Sequence, residues 1–317
     1  MASSPRHSGI LARVWIGVWR TASCSLVVVL LLAGCGRAEP VAAPDASTGP
    51  AVSPTAISQS PVPSAGRLDP SSPSSTADGA TPTSTGWMLG ARPLPRNPDG
   101  SVPRQETPQE LRNRRLPTLD LLPSPASGRF AATIDPVTPD IRQRMGSSWS
   151  PDCPVSLEEL RYLTLTFWGF DDQAHTGELV VHAAIAEEVV EVFQALFDAQ
   201  FPIEEMRLVT TTDLQAAPTG DGNNTAAYVC RTARGSTRYS EHAYGLAVDV
   251  NPFQNPYVRG ETVLPELATS YTDRTVGRPG MLVEGSPAVT AFTRRGWEWG
   301  GAWQSVRDPM HFSARGG

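Results

Sequence analysis

Ser240-Glu241-His242-Ala243-Tyr244-Gly245-Leu246-Ala247-Val248-Asp249-Val250-Asn251 sets a His and an Asp seven residues apart around a glycine and ends in an apolar run. Leu246 to Val250 reads as a strand, so Asp249 sits near its end with its side chain on one face. Gly245 lets the backbone turn closely there, and His242 reaches in from the preceding loop. A second stretch, Asp308-Pro309-Met310-His311-Phe312, reads as a short buried strand in which a polar ring needs a partner. Together the two stretches offer two imidazoles and a carboxylate to a metal, with one carboxylate to spare. Three protein ligands leave the fourth position of a zinc ion to water, and a neighbouring carboxylate can take that water's proton. Taken alone, a His–Asp pair at this spacing is common by chance, and a His beside Phe312 serves equally well as a satisfied core residue.

Around these stretches the chain carries signals for both strand and helix. Ser156-Leu157-Glu158-Glu159 is a capping-box pattern that opens a short helix. Residues 163–168 alternate apolar and polar, and 178–181 follow a turn-rich segment, so the two predict a hairpin. In residues 184–200, Ile185, Val189, Phe193, Leu196 and Phe197 recur at helical steps, and Pro202 ends the helix. Residues 206–210 and 226–230 read as strands, and 288–295 as a helix before an aromatic stretch, Trp297 to Trp303. Strands and helices do not alternate regularly. The fold class is therefore α+β, a mainly antiparallel sheet with flanking helices and the zinc site at the sheet face. His175 and His182 have no second ligand nearby in sequence and read as structural.

The first third of the chain has another character. Residues 1–34 have a signal-peptide layout, with Arg6, Arg13 and Arg20, an apolar core from Leu26 to Leu32, and then Ala33-Gly34. Leu32-Ala33-Gly34-Cys35 resembles a bacterial lipobox, which implies cleavage before Cys35, lipid attachment to it, and anchoring at the outer face of the cytoplasmic membrane. Residues 35–127 read as a Pro/Ser/Thr-rich linker, largely disordered, because they carry too few apolar residues to offset the entropy of ordering. From residue 87 onward some apolar residues return, and that part either lies against the domain or continues the linker. The folded domain is expected over 128–317. All basic residues are Arg, and the formal charge of −6 becomes −9 once the three leader arginines are gone. No basic block serves as a phosphate footprint, which argues against nucleic acid as a partner. Besides Cys24 in the leader and Cys35 at its end, only Cys153 and Cys230 remain, and an even pair in an exported chain reads as a disulfide, with two buried thiols as the alternative.

Ser240-x-His242-x-x-Gly245-x-Ala247-x-Asp249 and Asp308-x-x-His311 resemble the two motifs of the bacterial zinc D-alanyl-D-alanine carboxypeptidases of the VanY type and the related L-alanyl-D-glutamate endopeptidases. The similarity runs from about Cys153 to Phe312, through Asn223-Asn224-Thr225, Cys230-Arg231, Asn251-Pro252, Asn255-Pro256-Tyr257 and Trp297-x-Trp299-Gly300-Gly301. It implies one zinc per domain on His242, Asp249 and His311, with Asp308 as general base and then proton donor to the leaving amine. It also implies peptidoglycan stem peptides as substrate. Asp rather than Glu at 308 leans the reading to the L-alanyl-D-glutamate endopeptidases, with the D-alanyl-D-alanine carboxypeptidases as the alternative. Arg231 is a candidate for holding a substrate carboxylate bidentately, against the competing reading of a surface ion pair. Two further readings stay open: a wall-binding module that holds zinc without cutting, and a structural lipoprotein with a metal-free His/Asp network.

Overall fold

The computed structural model describes residues 86–315; the stretch read as a leader, Cys35 and the first part of the expected linker lie outside the described residues. In chain order the elements are β1 (Ala132–Pro136), α1 (Pro139–Met145), β2 (Leu160–Trp168), β3 (Ala174–His182) and α2 (Ala186–Asp198). Next come β4 (Glu205–Met206), α3 (Thr211–Gln215), β5 (Asn224–Thr225), β6 (Ala247–Asp249), β7 (Tyr257–Arg259) and β8 (Thr262–Leu264). The last are α4 (Pro287–Thr293), β9 (Glu298–Trp299) and β10 (His311–Ser313). The class is α+β, with two three-stranded antiparallel sheets, β1-β2-β3 and β6-β10-β9, and two smaller strand pairs. One of those, β4–β5, is parallel.

The predicted hairpin is β2–β3, paired from Leu160 opposite His182 to Trp168 opposite Ala174. Its period of two feeds two cores at once. Leu163, Leu165 and Phe167 face α2, while Leu160 and Tyr162 face Met145, Leu208 and Tyr228. On α2 the buried side is Ala186, Val189, Val192, Phe193 and Leu196, and each large apolar side chain so buried is worth about 1.5–3 kcal/mol. The same core continues through Val248 of β6, Phe292 of α4 and Phe312 of β10, so helix and both sheets share one apolar interior.

Three sequence expectations need correction. The domain begins well before residue 128. Trp87, Leu111 and Leu116 are buried, and Trp87 and Leu111 pack with Phe253 and Tyr271. The Arg114 guanidinium, on the same strap, forks onto both oxygens of Glu204 at 2.8 and 2.5 Å and reaches the Asp221 carbonyl at 2.7 Å. Low apolar content concealed this because a few large residues and one buried ion pair do the anchoring. Second, the expected strand 206–210 stops at Met206, because Thr210 starts α3 with Asp213 accepting from its backbone N–H at 2.8 Å. Third, residues 226–230 form only one bridge, Ala226 with Asp249. The capping box expected at Ser156 is present and opens a single 3₁₀ turn. Cys153 and Cys230 are joined in a disulfide. His182 Nδ1 accepts from Ala184 N–H at 3.1 Å, and the buried His175 ring lies between Asp120 (2.8 Å) and Asp171 (3.0 Å).

Arg114 and Glu204 are both almost wholly withdrawn from water, so removing one leaves a charge unpaired in the interior. Arg114→Ala is expected to cost about 3–5 kcal/mol, read as a lowered midpoint in chemical denaturation. A midpoint within error of the parent chain would mean that the strap is not part of the cooperative fold.

Candidate metal centre

The seven-residue spacing has a local cause. Ser240 precedes a 3₁₀ turn, Glu241–Tyr244, and its hydroxyl accepts from the His242 N–H at 3.4 Å. Gly245 closes that turn with φ +68, a left-handed conformation that costs glycine nothing. A Cβ there would also fall 2.6 Å from the backbone nitrogen of His182, which donates to the Gly245 carbonyl at 2.8 Å. Gly245 thus makes the close turn expected of it, and the space a side chain would need is taken by the end of β3. Ala247 is fully buried at the start of β6. One turn, one reversal and one short strand thus separate His242 from Asp249.

Strand pairing supplies the third residue. β10 runs antiparallel to β6 with His311 directly opposite Asp249. His242 Nε2 lies 3.2 Å from His311 Nδ1 and 3.2 Å from Asp249 Oδ1, and His311 Nδ1 lies 3.0 Å from Asp249 Oδ1. Ligand atoms on a tetrahedral zinc, with bonds of about 2.0–2.1 Å, stand about 3.3 Å apart. The three donors therefore fit a single small divalent cation. His242 is oriented for it, since Nδ1 faces the Ala227 carbonyl at 2.5 Å. A carbonyl only accepts, so Nδ1 carries the proton and the Nε2 lone pair faces the cluster. Burial pushes the Asp249 carboxyl up, but the charges and hydrogen bonds of the two imidazoles outweigh it and hold it well below the usual carboxylate range.

Asp308 is set beside this cluster and treated in the opposite way. Burial and the neighbouring Asp249 charge push its carboxyl up to about 7, with His311 and Arg231 pulling back. Its Oδ1 is buried with no hydrogen-bond partner among the described residues. Its backbone is fixed: Asp308 N–H donates to the Gly300 carbonyl and His311 N–H to the Asp308 carbonyl, each at 3.0 Å. A Cβ on Gly300 would stand 2.6 Å from that Asp308 carbonyl oxygen, so only glycine permits the approach. Trp299 Nε1 donates to the Pro309 carbonyl at 2.8 Å, and the Trp303 ring stands 5.6 Å from that of His311. Tyr244 packs between the two cores. Arg231 is exposed and bonds only the Thr232 carbonyl, at 3.4 Å, yet its charge reaches Asp308.

Some contributors carry no mark in the sequence. The Ala227 carbonyl that orients His242 is a backbone group. Asn251, with φ +44, is wholly buried and ties Thr225, Pro202 and Glu204 together behind β6. Its place directly after the strand was the available signal.

The chain supplied with zinc is expected to hold one ion. His311→Ala or Asp249→Ala is expected to weaken its retention roughly tenfold or more, measured by metal analysis after dialysis against a graded chelator. Undiminished zinc in both variants would mean that the ion binds elsewhere.

Residues 234–314 match the protein family described as D-alanyl-D-alanine carboxypeptidase, a span that contains His242, Asp249, Asp308 and His311. Comparison with curated proteins and with solved structures gives no match. Over those residues the chain is similar to that family, and the likeness takes in both stretches that form the candidate metal centre.

Proposed function

We propose that this chain is a zinc peptidase that hydrolyses peptide bonds in peptidoglycan stem peptides. The observation that carries the reading is the buried Asp308 Oδ1, with no hydrogen-bond partner among the described residues, near a cluster of two His and one Asp. A binding module or a purely structural His/Asp network has no need of that fourth group. Zinc held by His242, Asp249 and His311 would supply a Lewis acid and lower the pKa of a water. The chain's own residues supply the rest. Ala227 fixes the tautomer of His242. Asp308, pushed up to about 7, is matched to accept a proton at Oδ1 near neutral pH and return it to the departing amine. Arg231, at the edge, would hold a substrate carboxylate.

Within this class the reading leans to an L-alanyl-D-glutamate endopeptidase, because Asp rather than Glu stands at 308. The D-alanyl-D-alanine carboxypeptidase is the second reading. It is favoured by the description of the matched family. The leader and Cys35 place the enzyme, in this proposal, on a lipid anchor at the outer face of the cytoplasmic membrane.

Mass spectrometry of defined muropeptides, incubated with the zinc-supplied chain with and without chelator, tests the reading. A chelator-sensitive cut between L-Ala and D-Glu is expected. Release of terminal D-Ala would select the carboxypeptidase, and intact peptides beside bound zinc would select the non-cutting module. Asp308→Asn is expected to keep the ion and lower kcat by roughly 10²–10⁴-fold, the usual worth of a general base. Parental turnover in that variant would remove Asp308 from its role.

A further inference from the structure

Residues 231–239, Arg-Thr-Ala-Arg-Gly-Ser-Thr-Arg-Tyr, hold Arg231, Arg234 and Arg238 and no acid, in a chain whose net charge is −6. They form a small exposed hairpin. Thr232 bridges Tyr239, Ala233 N–H donates to the Arg238 carbonyl at 2.9 Å, and Gly235 turns the tip with φ +72. Both feet are fastened. Cys230, directly before it, is in the disulfide with Cys153. Ser240 N–H donates to the Arg231 carbonyl at 3.0 Å, and Tyr239 Oη donates to the Asp152 carbonyl at 2.8 Å. A solvated basic loop needs no such pinning.

The hairpin is tied to the site through its distal foot and through β7. Its distal foot is the Ser240 that opens the His242 turn. Beside its tip is Arg259 of β7, whose Nη1 lies 4.0 Å from where a Cβ on Gly235 would stand. The residue before Arg259, Val258, exchanges backbone hydrogen bonds with Arg307, next to Asp308, at 2.7 and 3.0 Å. Among the described residues none of Arg231, Arg234, Arg238 and Arg259 pairs with a carboxylate. Arg104, Arg114, Arg144, Arg207 and Arg295 each do. Like charges held together without counter-charges raise the local potential, which an arriving anion relieves.

We propose that the arginine hairpin 231–239, with Arg259 beside its tip, is an anion-reading rim. It makes the site select stem peptides that carry a free carboxylate next to the scissile bond over the same peptides with that carboxylate amidated. The proposal rests on the stem-peptide reading above. Its chemistry is that of the guanidinium fork, which engages both oxygens of a carboxylate; a carboxamide removes the charge and one of the two acceptors.

The test uses two synthetic stem peptides that differ only in a D-Glu α-carboxylate against its carboxamide. Equilibrium binding is measured by calorimetry to the full chain carrying Asp308→Asn and supplied with zinc. The acid is expected to bind about tenfold tighter than the amide, as one charge-assisted contact allows, with the preference shrinking as salt is raised. Adding Arg234→Gln and Arg238→Gln is expected to bring the two affinities to within about twofold, with zinc content unchanged. Equal affinities in the parent, a preference untouched by the double substitution, or no binding of either peptide would each overturn the rim. Hydrolysis by the unsubstituted chain is read separately. A bound acid peptide that is never cut would sink the peptidase reading and leave the rim, whereas both peptides bound and cut alike would do the reverse.

Discussion

The register of β6 against β10 is the constraint on which the site depends. Side chains along a strand alternate faces, so a slip of one residue would carry Asp249 or His311 to the opposite side of the sheet. The apolar neighbours prevent it. Val248, Val250 and Phe312 are fully buried, and Phe312 stacks on Phe292 of α4 with ring centroids 3.8 Å apart. Moving the register would expose all three and break that stack. Core packing and donor geometry are therefore one requirement, and a short pairing of three residues suffices because its apolar positions are so deeply committed.

Behind the sheet the loops are held by polar groups in the interior. Glu204 accepts from Arg114 and Asn223, and its own N–H donates to Asn251. Asn255 joins the chain after β6 to Gly280, Arg274 and Leu282. A network of this kind is stabilising only when its members are satisfied, and it then fixes one arrangement where apolar packing would tolerate several. The strap from Trp87 to Leu116 belongs to it through Arg114. The domain is accordingly larger than its conventional secondary structure, and the strap is tied through Glu204 and Asn251 to the end of the strand that carries Asp249.

What was legible in the sequence was whatever one residue could announce. His242, Asp249, Asp308 and His311 have side-chain chemistry that few other roles require together, and the hairpin β2–β3 and helix α2 have periodicities of two and of three to four over nine and thirteen residues. The strap was half legible: its returning apolar residues left packing against the domain open, but its composition is that of a disordered linker. Three buried apolar side chains and one arginine decide its order, and the partner of that arginine lies ninety residues away. The segment 226–230 looked like a strand and forms only one bridge, and its value lies in the Ala227 carbonyl, which every residue type offers equally. Gly300 stood in a quoted motif without a reason; the reason is a distance to the Asp308 backbone, which no local pattern expresses.

Two carboxylates share this pocket, and their surroundings drive them apart. Asp249 lies between two imidazoles and stays ionised, as a ligand must. Asp308 faces the same buried space with one oxygen unpartnered and a negative neighbour, and its proton is held to about 7. Environments that separate the pKa values of neighbouring acids assign them different tasks. The division follows from placement more than from residue type, since both are Asp. The strand pairing puts one among the nitrogens, while the close approach of Gly300 fixes the backbone of the other beside them. A cation bound by the first would pull the second down as well.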